Sequence, residues 1–129
     1  MTLYLWIAFG SALGGVARFW CSGLFARQFG ETFPWGTLFV NVSGSLLIGV
    51  VAALADPNGK LFLGETARVA LMAGFLGGYT TFSAFSIQTL TLMQDGQWGP
   101  AFANIALSIL VCLAAVWAGF TLGAYLKGM

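Results

Sequence analysis

The sequence predicts an all-α membrane protein with four transmembrane helices per subunit, the third broken near the bilayer midplane. Three observations carry that reading. Of 129 residues, 59% are hydrophobic and only 7% charged, and the mean hydropathy is +0.89, so the bilayer is the solvent. The apolar residues fall into four runs, each near the roughly 20 residues that one hydrocarbon crossing takes. The third run holds two adjacent glycines and then two adjacent threonines, Gly77-Gly78-Tyr79-Thr80-Thr81, in its interior.

The spans are expected at about 3–26, 34–55, 68–93 and 100–126, forming one transmembrane domain over 1–129 with no room for an extramembrane domain. The first run gives way at Arg27 to Phe33, followed by Pro34. It has no basic residues before it and is long enough to span, so it is expected to be retained rather than cleaved. The second stops at Asp56-Pro57-Asn58-Gly59-Lys60, where proline and glycine cannot continue a helix. Asp95-Gly96-Gln97 separates the third from the fourth, which closes on Lys127 and Gly128, a cation and a glycine at a helix C-terminus. Glycine pairs at Gly10/Gly14, Gly74/Gly78 and Gly119/Gly123 have the spacing that lets helix backbones approach closely in lipid. Trp6, Trp35 and Trp98 fall near span ends, as headgroup-level anchors do.

Composition also excludes. The net charge is +1 and histidine is absent, so no nucleic-acid footprint is expected. All four acids, Glu31, Asp56, Glu65 and Asp95, fall in loops or at span ends. A proton-coupled antiporter needs a titratable group inside the bilayer, and no acid or histidine is there to take that role. Nor is there a base beside a serine, or a ligand set for a catalytic metal, so the chain is not expected to be an enzyme. Cys21 and Cys112 lie far apart in apolar runs and suggest neither a disulfide nor a metal site.

Basic residues near short loops set membrane orientation. Lys60, Arg68 and Lys127 would lie on one side, Arg27 and Arg18 on the other, so the balance is nearly even. Insertion in both orientations is therefore expected. Two copies in opposite orientations could form a dimer with its axis in the membrane plane.

The polar content of the spans is mostly neutral. The Gly77–Thr81 segment admits two readings that composition does not separate: local unwinding around a polar cavity, or a glycine-lined helix contact with the threonines bonded back to the helix. Beyond it, Phe82 and Phe85 share a helix face, with Ser83 and Ser86 on a neighbouring one. Ring edges are positive and hydroxyls are donors, which suits a small anion better than a cation. Taken alone, the two rings read as ordinary core or lipid-facing side chains. Asn41, with Ser43, Gly44 and Ser45 after it, either donates to an anion or bonds across a helix contact. Arg18 is either an intramembrane functional charge or a side chain extended to the interface.

Gly74-Phe-Leu-Gly-Gly-Tyr-Thr-Thr-Phe-Ser-Ala-Phe-Ser86 and Pro34-Trp-Gly-Thr-Leu-Phe-Val-Asn41 resemble the signature segments of the Fluc family of fluoride channels, also called CrcB. Gly14-Gly-Val-Ala-Arg18 and the four-span layout extend the resemblance over essentially the whole chain. It implies passive, fluoride-selective export of toxic cytoplasmic fluoride across the bacterial inner membrane by an antiparallel, dual-topology homodimer with two pathways. Phe82 and Phe85 would then present ring edges to fluoride and Asn41 would donate to it, with Ser83 and Thr81 nearby and Arg18 at the vestibule. A structural sodium ion at the dimer axis would be held by the Gly77 and Thr80 carbonyls of each subunit. The fourth span departs from the family's hydroxyl track: it offers Cys112 and Val116, with Ser108 one turn earlier. The alternative is a small four-span, dual-topology multidrug-type exporter, against which stands the lack of an intramembrane glutamate. A non-conducting assembly subunit would explain the glycine spacings but not the interrupted third span.

Overall fold

The computed structural model describes residues 1–56 and 63–129. The predicted turn at Pro57 to Lys60, including the Lys60 charge, lies outside the described residues. Among the described residues there are four membrane-length segments: Thr2–Phe29, Trp35–Leu54, Glu65–Gln94 and Trp98–Gly128. The first, second and fourth are single helices, α1 (Thr2–Phe29), α2 (Trp35–Leu54) and α6 (Trp98–Gly128). The third is composite: α3 (Glu65–Val69), a π-helical stretch (Ala70–Leu76), a short turn α4 (Gly77–Tyr79), two extended residues, and α5 (Phe82–Gln94).

The ends differ from expectation by a few residues, each for a local reason. Arg27 does not end α1 but sits in its last turn, where a cation faces the open carbonyls; Gly30, at φ 79°, ends the helix. The fourth helix starts at Trp98 rather than Pro100, because proline in the first turn gives up an N–H that has no helical partner there. At the far end, Lys127 lies 3.9 Å from Asp56 at the end of α2.

Close approach without Cβ atoms organises the packing. α2 lies along α6, with Gly49 against the Val116 carbonyl and the Phe120 amide, and Gly119 against the Leu46 carbonyl. α1 packs in the same way on the third segment: a Cβ at Gly10 would stand 2.7 Å from the Ala70 carbonyl, and one at Gly78 2.6 Å from the Ser11 carbonyl. All three predicted glycine pairs are therefore helix contacts, as small-residue spacing in lipid implies. The outer face of the single chain stays apolar, with Phe19 81% and Trp117 72% exposed.

The interruption falls within the expected Gly77–Thr81 segment, at its C-terminal end. Gly77 is helical at φ −64°, ψ −38°, and α4 continues to Tyr79. Thr80 (φ −92°, ψ 159°) and Thr81 (φ −153°, ψ 118°) are the extended residues. Gly78 is used for contact with α1, and the threonines make the break, so each of the two readings describes part of the segment.

Candidate functional site

Two extended residues inside a bilayer leave backbone groups without helical partners, each costing several kcal/mol if unmet in lipid. Here several of them are met, mostly by side chains. Asn41 on α2 pairs with Thr81 as a strand would, its Nδ2 donating to the Thr81 carbonyl at 3.0 Å and its Oδ1 accepting the Thr81 N–H at 2.7 Å. The Thr80 N–H and hydroxyl both donate to the Leu76 carbonyl, each at 3.1 Å. Arg18 Nε donates to the Gly78 carbonyl at 3.1 Å. Thr81 then caps α5, its Oγ1 accepting the Ala84 N–H at 3.2 Å.

This break forms one wall of a cavity of about 390 Å³ closed by α2, α5 and α6. Of the residues singled out from sequence, it brings together Asn41, Gly77, Thr80, Thr81, Phe82, Phe85 and Ser108; Ser45 and Cys112 also line it. None of its lining side chains is charged. The Phe82 and Phe85 rings are 5.3 Å apart and tilted by 52°. Phe82 is 77% exposed on the single chain; Phe85 is half-buried.

Two expected residues lie elsewhere. Ser83 is exposed beside the break, its hydroxyl 3.3 Å from Thr81 Oγ1. Arg18 borders a separate cleft of about 740 Å³ along α1, which Arg27 also lines. Val116, weighed with Cys112 in the fourth span, is not on the cavity; its carbonyl abuts Gly49. The Ser86 hydroxyl returns to the Phe82 carbonyl at 3.0 Å.

Sequence reasoning missed the polar groups that fasten this site. Asn104 is 1% exposed, and its Nδ2 donates to Thr89 Oγ1 at 2.9 Å, while Thr89 donates to the Phe85 carbonyl at 2.7 Å. Ser108 donates to Asn104 Oδ1 at 3.4 Å. One hydrogen-bonded chain thus joins the α6 wall to the backbone of Phe85. The available signal was an asparagine alone in a long apolar run. Tyr79 was likewise passed over; its hydroxyl shares a 3.0 Å hydrogen bond with Ser43 and ties the end of α4 to α2.

With neutral donors, two aromatic rings and no carboxylate, the cavity suits a small anion shedding part of its water. Comparison with known proteins points the same way. The family model for CrcB-like (camphor resistance) proteins matches residues 5–120. A fluoride-specific ion channel FluC from Opitutus terrae is 57% identical over 119 residues, covering 92% of this chain and 90% of that one. Proteins of the same name from Methylocella silvestris and Rhodospirillum rubrum are 52% identical over 126 residues and 53% over 116, covering 98% and 90% of this chain and 96% and 90% of theirs.

Proposed function

The chain belongs to the CrcB (FluC) family, and from that premise we propose how this cavity conducts. The protein is a multi-pass bacterial inner-membrane channel specific for fluoride and not an enzyme. The multidrug-type alternative has no support. The observation that carries the site assignment is the gathering of Asn41, Phe82, Phe85 and Ser108, from three separate segments, around one uncharged cavity at the break.

In this reading fluoride leaves water by stages. Phe82 and Phe85 turn positive ring edges to it. Asn41 has two N–H groups and spends one on Thr81, so the other can donate to the ion while the pairing with Thr81 holds the amide still. Thr81 and Ser108 add hydroxyls along the way, with Ser83 beside the break at its exposed side, and Cys112 stands where a further hydroxyl is expected. Arg18 supplies positive potential at the vestibule. Export is passive, down the fluoride gradient.

The second half of the proposal concerns assembly. Near-balanced basic residues and a largely apolar exterior support a dual-topology antiparallel homodimer, in contact with lipid, with two pathways along its interfaces. A structural sodium ion fits the carbonyl pattern of the break. The Leu76, Gly78 and Thr81 carbonyls are taken by side chains or by Thr80. No side-chain or loop donor among the described residues reaches the carbonyls of Gly77 and Thr80. Two such oxygens from each subunit make a ligand set that a hard cation accepts without a carboxylate. Bound there, sodium would neutralise carbonyl dipoles at the crossing of the two breaks.

The site assignment is tested by fluoride efflux from liposomes carrying Phe82→Ile or Phe85→Ile. Each is expected to cut flux by about tenfold or more, the worth of one aromatic-edge contact, with the oligomer unchanged on size exclusion. Flux equal to that of the unaltered chain in both variants removes the rings from the pathway.

A further inference from the structure

Gly10, Gly14 and Arg18 stand four residues apart and so share a face of α1. The two glycines are where α1 meets the third segment: a Cβ on Gly14 would lie 2.9 Å from the Tyr79 amide nitrogen, and one on Gly10 3.0 Å from that of Phe75. That close approach carries Arg18, one turn further on, to the end of α4. There a helix exposes carbonyls with no N–H ahead of them and presents the negative end of its dipole. Thr80 closes back on Leu76, and Asn41 engages Thr81. Among the described side chains, only Arg18 donates to Gly78.

We propose that Arg18 is the positioning residue of the break: its Nε–H, delivered by the Gly10–Gly14 face, fixes the end of α4 and with it the point from which Thr80, Thr81 and Phe82 depart. By occupying the Gly78 carbonyl it also determines which oxygens of the turn stay open. This role is separate from the positive potential assigned to Arg18 at the vestibule. It depends on a donor at one atom, whereas the potential depends on charge.

Glutamine separates the two, because its Nε2 lies as many bonds from Cα as the Nε of arginine and carries no charge. Arg18→Gln and Arg18→Met are compared with the unaltered chain in nanodiscs, by amide hydrogen exchange over residues 78–82, and in liposomes, by the ratio of fluoride to chloride flux. Total flux falls in both variants, since both lose the cation, and does not discriminate. Arg18→Gln is expected to keep exchange and the flux ratio within about threefold of the unaltered chain. Arg18→Met is expected to raise exchange and lower the ratio by roughly tenfold, as loss of the only side-chain donor to the Gly78 carbonyl among the described residues implies. Equal effects in the two variants, or no effect in either, overturn the proposal.

If Arg18→Met fails to assemble, solid-state NMR of the unaltered chain decides, with ¹³C-carbonyl glycine and ¹⁵Nε arginine. Dephasing of the Gly78 carbonyl by Arg18 supports the contact, and its absence overturns it. The flux ratio rests on the channel reading; the exchange and NMR arms do not. An unaltered chain without fluoride flux would therefore refute that reading and leave the positioning result standing.

Discussion

Asn104 shows what a single amide does in a helix made almost wholly of apolar groups. It is buried, donates to Thr89 and accepts from Ser108, so it joins α6 to α5 through Thr89, whose hydroxyl holds the Phe85 carbonyl. Interhelical hydrogen bonds of this kind in membrane proteins contribute about 1 kcal/mol, and an emptied buried site adds to the loss. Asn104→Ala is therefore expected to lower unfolding stability in detergent by about 1–2 kcal/mol; an unchanged unfolding midpoint would show the clamp idle. At this scale legibility followed type and context. Asn41 and the phenylalanines stood out beside a dense polar segment, whereas Asn104 and Thr89 gain meaning only when two helices are laid together. Arg18, equally readable as snorkelling or internal, is seen to turn inward onto Gly78.

Among the elements, the third segment teaches most. A glycine pair in a helix costs about 1 kcal/mol per residue relative to alanine in water, and paired threonines compete with the helical ladder, which together draw attention to Gly77–Thr81 as a segment that can unwind. In lipid, Gly78 lets α1 approach, and the helix continues through both glycines. Thr80 and Thr81 unwind because Asn41 offers Thr81 a backbone-like partner, a long-range supply that no local propensity reveals. The π-helical stretch at Ala70–Leu76 left no sequence signal of its own. The glycine spacings, by contrast, were fully legible, since contact at that distance forbids a Cβ. Gly119→Val, driven into the Leu46 carbonyl, is expected to destabilise by about 2 kcal/mol or more. Gly99→Ala, with nothing within 4 Å of its Cβ, should be neutral within about 0.5 kcal/mol. Equal unfolding midpoints for the two would contradict the packing described for α2 and α6.

For the whole molecule, the four-span layout followed from composition and run length, and the membership of the CrcB (FluC) family agrees with the motifs that suggested it. The proposed dimer and the proposed sodium ion concern a second chain. A C-terminal reporter is expected to be found on both sides of the membrane; a single orientation would exclude the antiparallel dimer. Replacing sodium by N-methyl-D-glucamine is expected to lower the thermal midpoint of the detergent-solubilised dimer, and an unchanged midpoint would exclude the carbonyl site at Gly77 and Thr80. The central claim is a narrow, uncharged path that selects fluoride. It is tested most directly by reconstituting the purified chain in liposomes loaded with fluoride or with chloride and recording the efflux of each. Rapid loss of fluoride with chloride retained is the predicted result; fluoride efflux no faster than from protein-free liposomes, or chloride leaving at a comparable rate, would contradict it.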